Sequence, residues 1–186
     1  MTTSNCLLSP NRNGEYSRIQ IEEYLLDTFG AKKILWVDYG DLEGDDTDSH
    51  IDTLARFIPN NTIVYTKCDN ESDSHFEILE KMGEQIRTFV NAEGKPYNFV
   101  TLPLPDAIYD EDGYRLPATY ANFLITNNCV LMPIYNQPEN DKKALAIMQE
   151  AMPNYKIIGI DCNALIKQHG SLHCVTMQFP KNSINL

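Results

Sequence analysis

One pattern restricts the fold of this chain more than any other: two short apolar runs, an amphipathic stretch and a third apolar run, passed through twice. In the first copy, His50 to Ile58 (HIDTLARFI) and Thr62 to Thr66 (TIVYT) read as strands joined by the turn Pro59-Asn60-Asn61. Phe76, Leu79, Gly83, Ile86 and Val90 then mark one face of a long helix, and Asn98 to Leu102 (NFVTL) reads as a third strand. In the second copy, Thr119 to Thr126 (TYANFLIT) and Cys129 to Pro133 (CVLMP) flank the turn Asn127-Asn128. Lys142 to Met152 gives its helix and Lys156 to Asp161 (KIIGID) its closing strand. Leu172 to Gln178 (LHCVTMQ) reads as the opening strand of a further copy, and Tyr109 to Gly113 as a hairpin turn between copies. The unit recurs at roughly 55–70 residues, within the range of stacked repeat architectures. A single unit cannot bury its own sheet face, whereas neighbouring units can bury each other's. Two copies with flanking pieces do not close a ring, so the reading is of an α/β chain that is incomplete or must assemble with something.

Ahead of the repeats, Ser17 and Gln20 have the spacing of a capping box. Ile21, Tyr24, Leu25, Thr28 and Phe29 follow helical spacing, and Gly30 stands where a helix ends in a left-handed residue. Lys33 to Val37 (KILWV) reads as a buried strand, and Asp38 to Ser49 as an acidic, glycine-bearing loop.

The net charge of −11 argues against duplex nucleic acid and anionic membranes, which demand a basic patch. It suits a cationic ligand, although many acidic proteins carry such charge for solubility alone. No apolar run is long enough for a transmembrane helix, and the first residues lack the basic-then-apolar order of a signal peptide. The five cysteines (Cys6, Cys68, Cys129, Cys162 and Cys174) are odd in number and widely spaced, which speaks against a disulfide framework or zinc ribbon and for a reducing, cytoplasmic setting.

Two places carry candidate chemistry. On a strand, His50 and Asp52 would point to the same face, with Asp46 four residues earlier in the acidic loop. A carboxylate can orient an imidazole for acid–base work, although in isolation such a pair is more often a satisfied surface contact. Cys174 follows His169-Gly170-Ser171 near the end of the chain, where a glycine would let a ligand approach closely. A cysteine nucleophile needs a nearby cationic group, and equivalent positions of a pseudo-symmetric ring would bring His50 to it. On the same strand logic His173 points away from Cys174 and is structural, and His75 is solvated beside acidic residues. His169 is left open. A metal site built from His50, Asp52 and Cys174 is chemically conceivable but lacks any paired ligand spacing.

The segments Gly44 to Phe57 (GDDTDSHIDTLARF) and Gln168 to Thr176 (QHGSLHCVT) closely resemble the agmatine deiminase family, which is related to bacterial-type peptidylarginine deiminases. Leu8 to Asn13 (LSPNRN) and Tyr109 to Ala118 (YDEDGYRLPA) are similar to further segments of it. The resemblance implies a pentein-type α/β propeller of five ββαβ modules around a central site. Residues 1–186 would then be a single domain portion holding its C-terminal modules. It implies Cys174 as nucleophile on the guanidinium carbon, His50 as acid and base, and Asp46 and Asp52 as holders of the cation. Agmatine would become N-carbamoylputrescine and ammonia through a covalent thiouronium, on the route to putrescine, with no metal or organic cofactor. Peptidyl-arginine or arginine as substrate, and a non-catalytic half-propeller, are the alternatives. Ser49 departs from the glycine usual in the family before the histidine. Family members are roughly twice as long, so a complementary N-terminal half or a homo-oligomer is the implied partner.

Overall fold

The computed structural model describes residues 1–179. In chain order its elements are β1 (Thr2–Thr3), α1 (Ser4–Leu7), α2 (Pro10–Asn13), α3 (Arg18–Phe29), β2 (Trp36–Val37), β3 (Ala55–Ile58), β4 (Thr62–Lys67), α4 (Phe76–Arg87) and β5 (Asn98–Pro103). There follow β6 (Leu124–Ile125), β7 (Cys129–Ile134), α5 (Pro138–Ala151), β8 (Lys156–Asp161) and α6 (Asn163–Ile166). Short 3-10 turns lie at Ile51–Thr53 and His173–Val175.

Two three-stranded sheets share one construction. In the first, β3 runs antiparallel to β4, from Ala55 opposite Tyr65 to Ile58 opposite Thr62. The chain then crosses over through α4, and β5 pairs parallel to β4 from Thr62–Asn98 to Lys67–Pro103. In the second, β6 is antiparallel to β7, α5 makes the crossover, and β8 runs parallel to β7 from Cys129–Lys156 to Ile134–Asp161. A third, smaller pairing joins β1 to β2 in parallel around α3, over only Thr2–Trp36 and Thr3–Val37.

The side-chain alternation of a strand explains how the sheets stack. On β4, Ile63 and Tyr65 enter a core with Leu54, Leu79, Met82 and Ile86. Val64, between them, faces the other way into a second core with Leu102, Phe123, Met132 and Met148. Helix α4 is held over its sheet by Leu79, Met82 and Ile86, all essentially buried, with Gly83 where Tyr65 passes close. Helix α5 begins at Pro138, four residues before the expected Lys142. Proline suits the first turn of a helix. The carboxylate of Asp141 there accepts the backbone N–H of Tyr135 and Gln137 and the hydroxyl of Tyr120.

The capping box of α3 is present in both directions: Ser17 N–H donates to Gln20 Oε1 at 2.9 Å, and Gln20 N–H to Ser17 Oγ at 3.4 Å. Gly30 closes the helix at φ +59°. The hairpin at 109–115 is also present, with Asp110 Oδ1 accepting the backbone N–H of Asp112 and Tyr114.

Four expected strands are cut short. Residues 50–54 form a loop and a 3-10 turn before β3 begins at Ala55. In Thr119 to Thr126 only Leu124–Ile125 are strand, and Leu172 to Gln178 holds a 3-10 turn. Lys33 to Val37 likewise contributes only Trp36–Val37. The first three of these segments are the ones that meet at the candidate site.

Candidate active site

A buried chain of hydroxyls and carbonyls fastens the three irregular segments together. Thr119 Oγ1 donates to Thr53 O at 2.8 Å and lies 3.1 Å from Thr66 Oγ1. The Tyr135 hydroxyl donates to Thr119 O at 2.9 Å and sits 2.8 Å from Ser171 Oγ. Apolar burial pushes the Tyr135 hydroxyl well above the ordinary tyrosine range, so it stays a neutral donor. These contacts form a floor on which residues 50–53, 119–123 and 171–175 are fixed relative to one another.

Above the floor, Asp52 is the centre of the cluster. Its Oδ2 accepts from His173 Nδ1 at 2.7 Å and from Asn122 Nδ2 at 3.1 Å. Burial pushes the Asp52 carboxyl up. The His173 hydrogen bond and charge, with Arg56 and His50, outweigh it and hold the group below the usual carboxylate range. Burial lowers the Arg56 guanidinium, against the pull of Asp52 and Cys174. Arg56 is kept in place by donating to Phe123 O at 2.7 Å and by lying over the Phe123 ring.

Cys174 is exposed, on the 3-10 turn, with its Sγ donating to Asn122 Oδ1 at 3.6 Å. Gly170 lies beneath it: a Cβ there would stand 3.2 Å from Cys174 Cβ and 3.5 Å from Sγ. The glycine therefore does make room, though for the cysteine side chain itself.

His50 precedes the 3-10 turn and turns toward the loop, where its Nε2 accepts from Arg12 at 3.1 Å. Arg12 also pairs with Asp48 at 3.4 Å. His50 and Asp52 therefore do not share a strand face. In a helix of three residues per turn, positions i and i+2 diverge. Among the described residues no hydrogen bond joins the His50 ring to Cys174 or to Asp52; Asp52 and Cys174 are joined to each other through Asn122. Asp46 is exposed, and no hydrogen bond ties it to these groups among the described residues.

Two histidines depart from expectation. His173 does not point away from the site, because its backbone is a 3-10 turn rather than a strand, and it pairs with Asp52. His75 is buried, not solvated: its Nδ1 meets Asp73 Oδ1 at 3.0 Å and its Nε2 accepts the Glu43 N–H at 2.8 Å. His169 Nδ1 contacts Gly44 O at 2.8 Å. Asn122, Arg56 and Arg12 were not singled out from the sequence. An asparagine inside TYANFLIT and an arginine inside TLARFI were the available signals, since a polar group within an apolar run must find buried partners.

Ser49 and Asp48 both have left-handed backbones, at φ +59° and +61°. That is the conformation in which glycine carries no Cβ penalty. Ser49 is tied there by the Thr3 hydroxyl, which donates to its carbonyl at 2.7 Å. No cluster of three or more His, Cys, Asp or Glu side chains among the described residues is arranged to hold a metal ion, and no helix among them is long and apolar enough to cross a membrane.

Fold and cluster together define a class: an α/β protein with a reachable thiol beside a half-buried carboxylate, two imidazoles and an arginine. The chain belongs to the Porphyromonas-type peptidyl-arginine deiminase family, whose family model matches residues 1–180. A curated Vibrio parahaemolyticus protein named "Putative agmatine deiminase" is 35% identical over 96% of this chain and 54% of its own length. Among solved structures, a protein of Porphyromonas gingivalis described as a "Putative Arginine Deiminase" is 49% identical, with TM-score 0.92, over 96% of this chain and 52% of that one. A C. jejuni agmatine deiminase is 42% identical, with TM-score 0.82, over 92% of this chain and 49% of that one. The chain thus spans about half the length of the curated relatives it matches.

Proposed function

We propose that this chain forms the C-terminal modules of a pentein-type five-module α/β propeller, a single deiminase domain portion over residues 1–186, acting on agmatine. The observation that carries the reading is the meeting of Asp52 and Cys174 on opposite sides of Asn122, more than a hundred residues apart in sequence. The carboxylate can hold a guanidinium cation close to the sulfur, and that cation favours the thiolate. In the step proposed, the Cys174 sulfur attacks the guanidinium carbon. Ammonia leaves with a proton from His50, and a thiouronium remains on the sulfur. His50 then takes a proton from water, whose oxygen attacks the same carbon. The C–S bond breaks, giving N-carbamoylputrescine and free enzyme.

Asp52, with Asp46 if the acidic loop closes, holds the cation. Five free cysteines and a thiol nucleophile suit a reducing, cytoplasmic setting and a role in putrescine formation. The partner we propose is a complementary N-terminal half, with a second copy of this chain as the alternative. Peptidyl-arginine or arginine as substrate shares the same guanidinium chemistry, and the family description and the P. gingivalis structure favour keeping it as the second reading.

The test is ammonia release from agmatine, peptidyl-arginine and arginine by this chain alone and mixed with an N-terminal half taken from a relative. Turnover of agmatine in the mixture, lost in Cys174→Ala and retained in Cys68→Ala, is the expected result. Equal losses in the two variants would remove Cys174 as the nucleophile. No turnover of any of the three in either arm would favour a non-catalytic half-propeller.

A further inference from the structure

Asn122 is completely buried, and both ends of its amide are used. Its Nδ2 donates to Asp52 O at 3.2 Å and to Asp52 Oδ2 at 3.1 Å. Its Oδ1 accepts from the His173 backbone N–H at 2.8 Å and from Cys174 Sγ at 3.6 Å. The partners fix which end is which: two acceptors lie on one side and two donors on the other, so a flipped amide would lose every bond. Its own carbonyl accepts the same His173 N–H at 3.2 Å. The backbone around it is pinned through Thr119 to Thr53 and Tyr135.

We propose that Asn122 is a positioning residue that joins the cation-holding carboxylate to the thiol, so that a positive charge drawn to Asp52 arrives at Cys174. This rests on the reading of Cys174 as nucleophile. The physical content is geometric. A carboxylate attracts a cation in proportion to proximity, and the attraction is strong where burial limits screening. If Asp52 can rotate away, the thiol loses the local preference for cations while staying as accessible as before.

The test uses this chain and a matched pair of thiol reagents, methyl methanethiosulfonate and its cationic trimethylammonium-ethyl analogue. In both, the cysteine sulfur displaces methanesulfinate and forms a mixed disulfide. Rates at Cys174 are read by peptide mass and divided by the rates at Cys129, so that the overall acidity of the protein cancels. The cationic reagent is expected to win at Cys174, and Asn122→Ala to reduce that preference several-fold while the neutral reagent changes by less than about twofold. An unchanged ratio, or equal slowing with both reagents, would overturn the proposal, the latter by marking Asn122 as merely structural. Should Asn122→Ala not fold, Asn122→Ser takes its place, since a hydroxyl cannot span Asp52 and the sulfur together. If neither folds, the ratio is read in Asp52→Asn, where an undiminished cation preference would sink the proposal. Labelling needs no turnover, so absence of turnover in the reconstituted mixture would count against the proposed function, while the labelling ratio alone decides this inference.

Discussion

Helices α3 and α4 are each twelve residues long, yet they sit in the molecule in opposite ways. Helix α4 covers six parallel rungs between β4 and β5 and buries Leu79, Met82 and Ile86 against them. Helix α3 covers two rungs between β1 and β2 and buries only Ile21, leaving Ile19 and Tyr24 70% exposed and Phe29 74% exposed. Both have good local reasons to be helical, and α3 has the better N-cap. The difference lies in what is underneath. Most helical stability comes from packing a face on something, and α3 has too little sheet to pack on. Among the described residues the β1–β2 pair lacks the antiparallel strand that the other two sheets have.

The comparison can be broken by substitution, beginning at the N-terminus of α4. There Arg115 clamps Asp73 through two hydrogen bonds of 2.8 Å, with little of either side chain exposed. Arg115→Ala should cost about 3–4 kcal/mol in urea unfolding, because it leaves a largely but not fully buried carboxylate without its main partner. The Arg115 hydrogen bond is the main cause that holds the Asp73 carboxyl far below its ordinary range. The stabilisation is therefore complete above the unfolded value of about 4 and drains away as pH falls toward the folded one. Acid titration of stability should show this loss below about pH 4 in the parent chain and much less of it in Arg115→Ala.

Next, Met82→Ala, at a fully buried position, should cost about 2–5 kcal/mol by the same measurement. Ser17→Ala, which removes the cap of α3, should cost about 1 kcal/mol at most, since the helix has little else to lose. Tyr24→Ala should fall within about 0.5 kcal/mol of the parent. A Tyr24→Ala loss as large as that of Met82→Ala would mean that α3 is covered after all, for instance in a dimer. Ser49→Gly is expected to act in the opposite direction, a gain of no more than about 0.5 kcal/mol, as release of the left-handed strain is largely cancelled by glycine's unfolded-state entropy.

What could be read from the sequence divides along the same physical line. Strands β4, β5, β7 and β8 and helices α3, α4 and α5 were legible because periodic burial wrote their pattern into the chain. Residues 50–54, 119–123 and 172–178 also look periodic, yet each departs from extended geometry where its side chains must converge. An alternation of apolar and polar residues cannot distinguish a strand face from a short 3-10 turn. That ambiguity placed His50 with Asp52 and sent His173 to the wrong side. Asp52 and Cys174 could be singled out as candidates from the sequence, whereas Arg12 and Asn122 could not, because their contacts are with partners distant in the chain. His75 was misread for a related reason: its burial comes from the acidic loop folding over it, which no local pattern records.

Strand β4 has one further consequence. Its odd- and even-numbered side chains furnish two different interiors, so it is a common wall rather than an outer one. Neither interior can melt while the other stays solid, and heating should reveal one cooperative transition, with damage on either side of the wall lowering the same melting temperature.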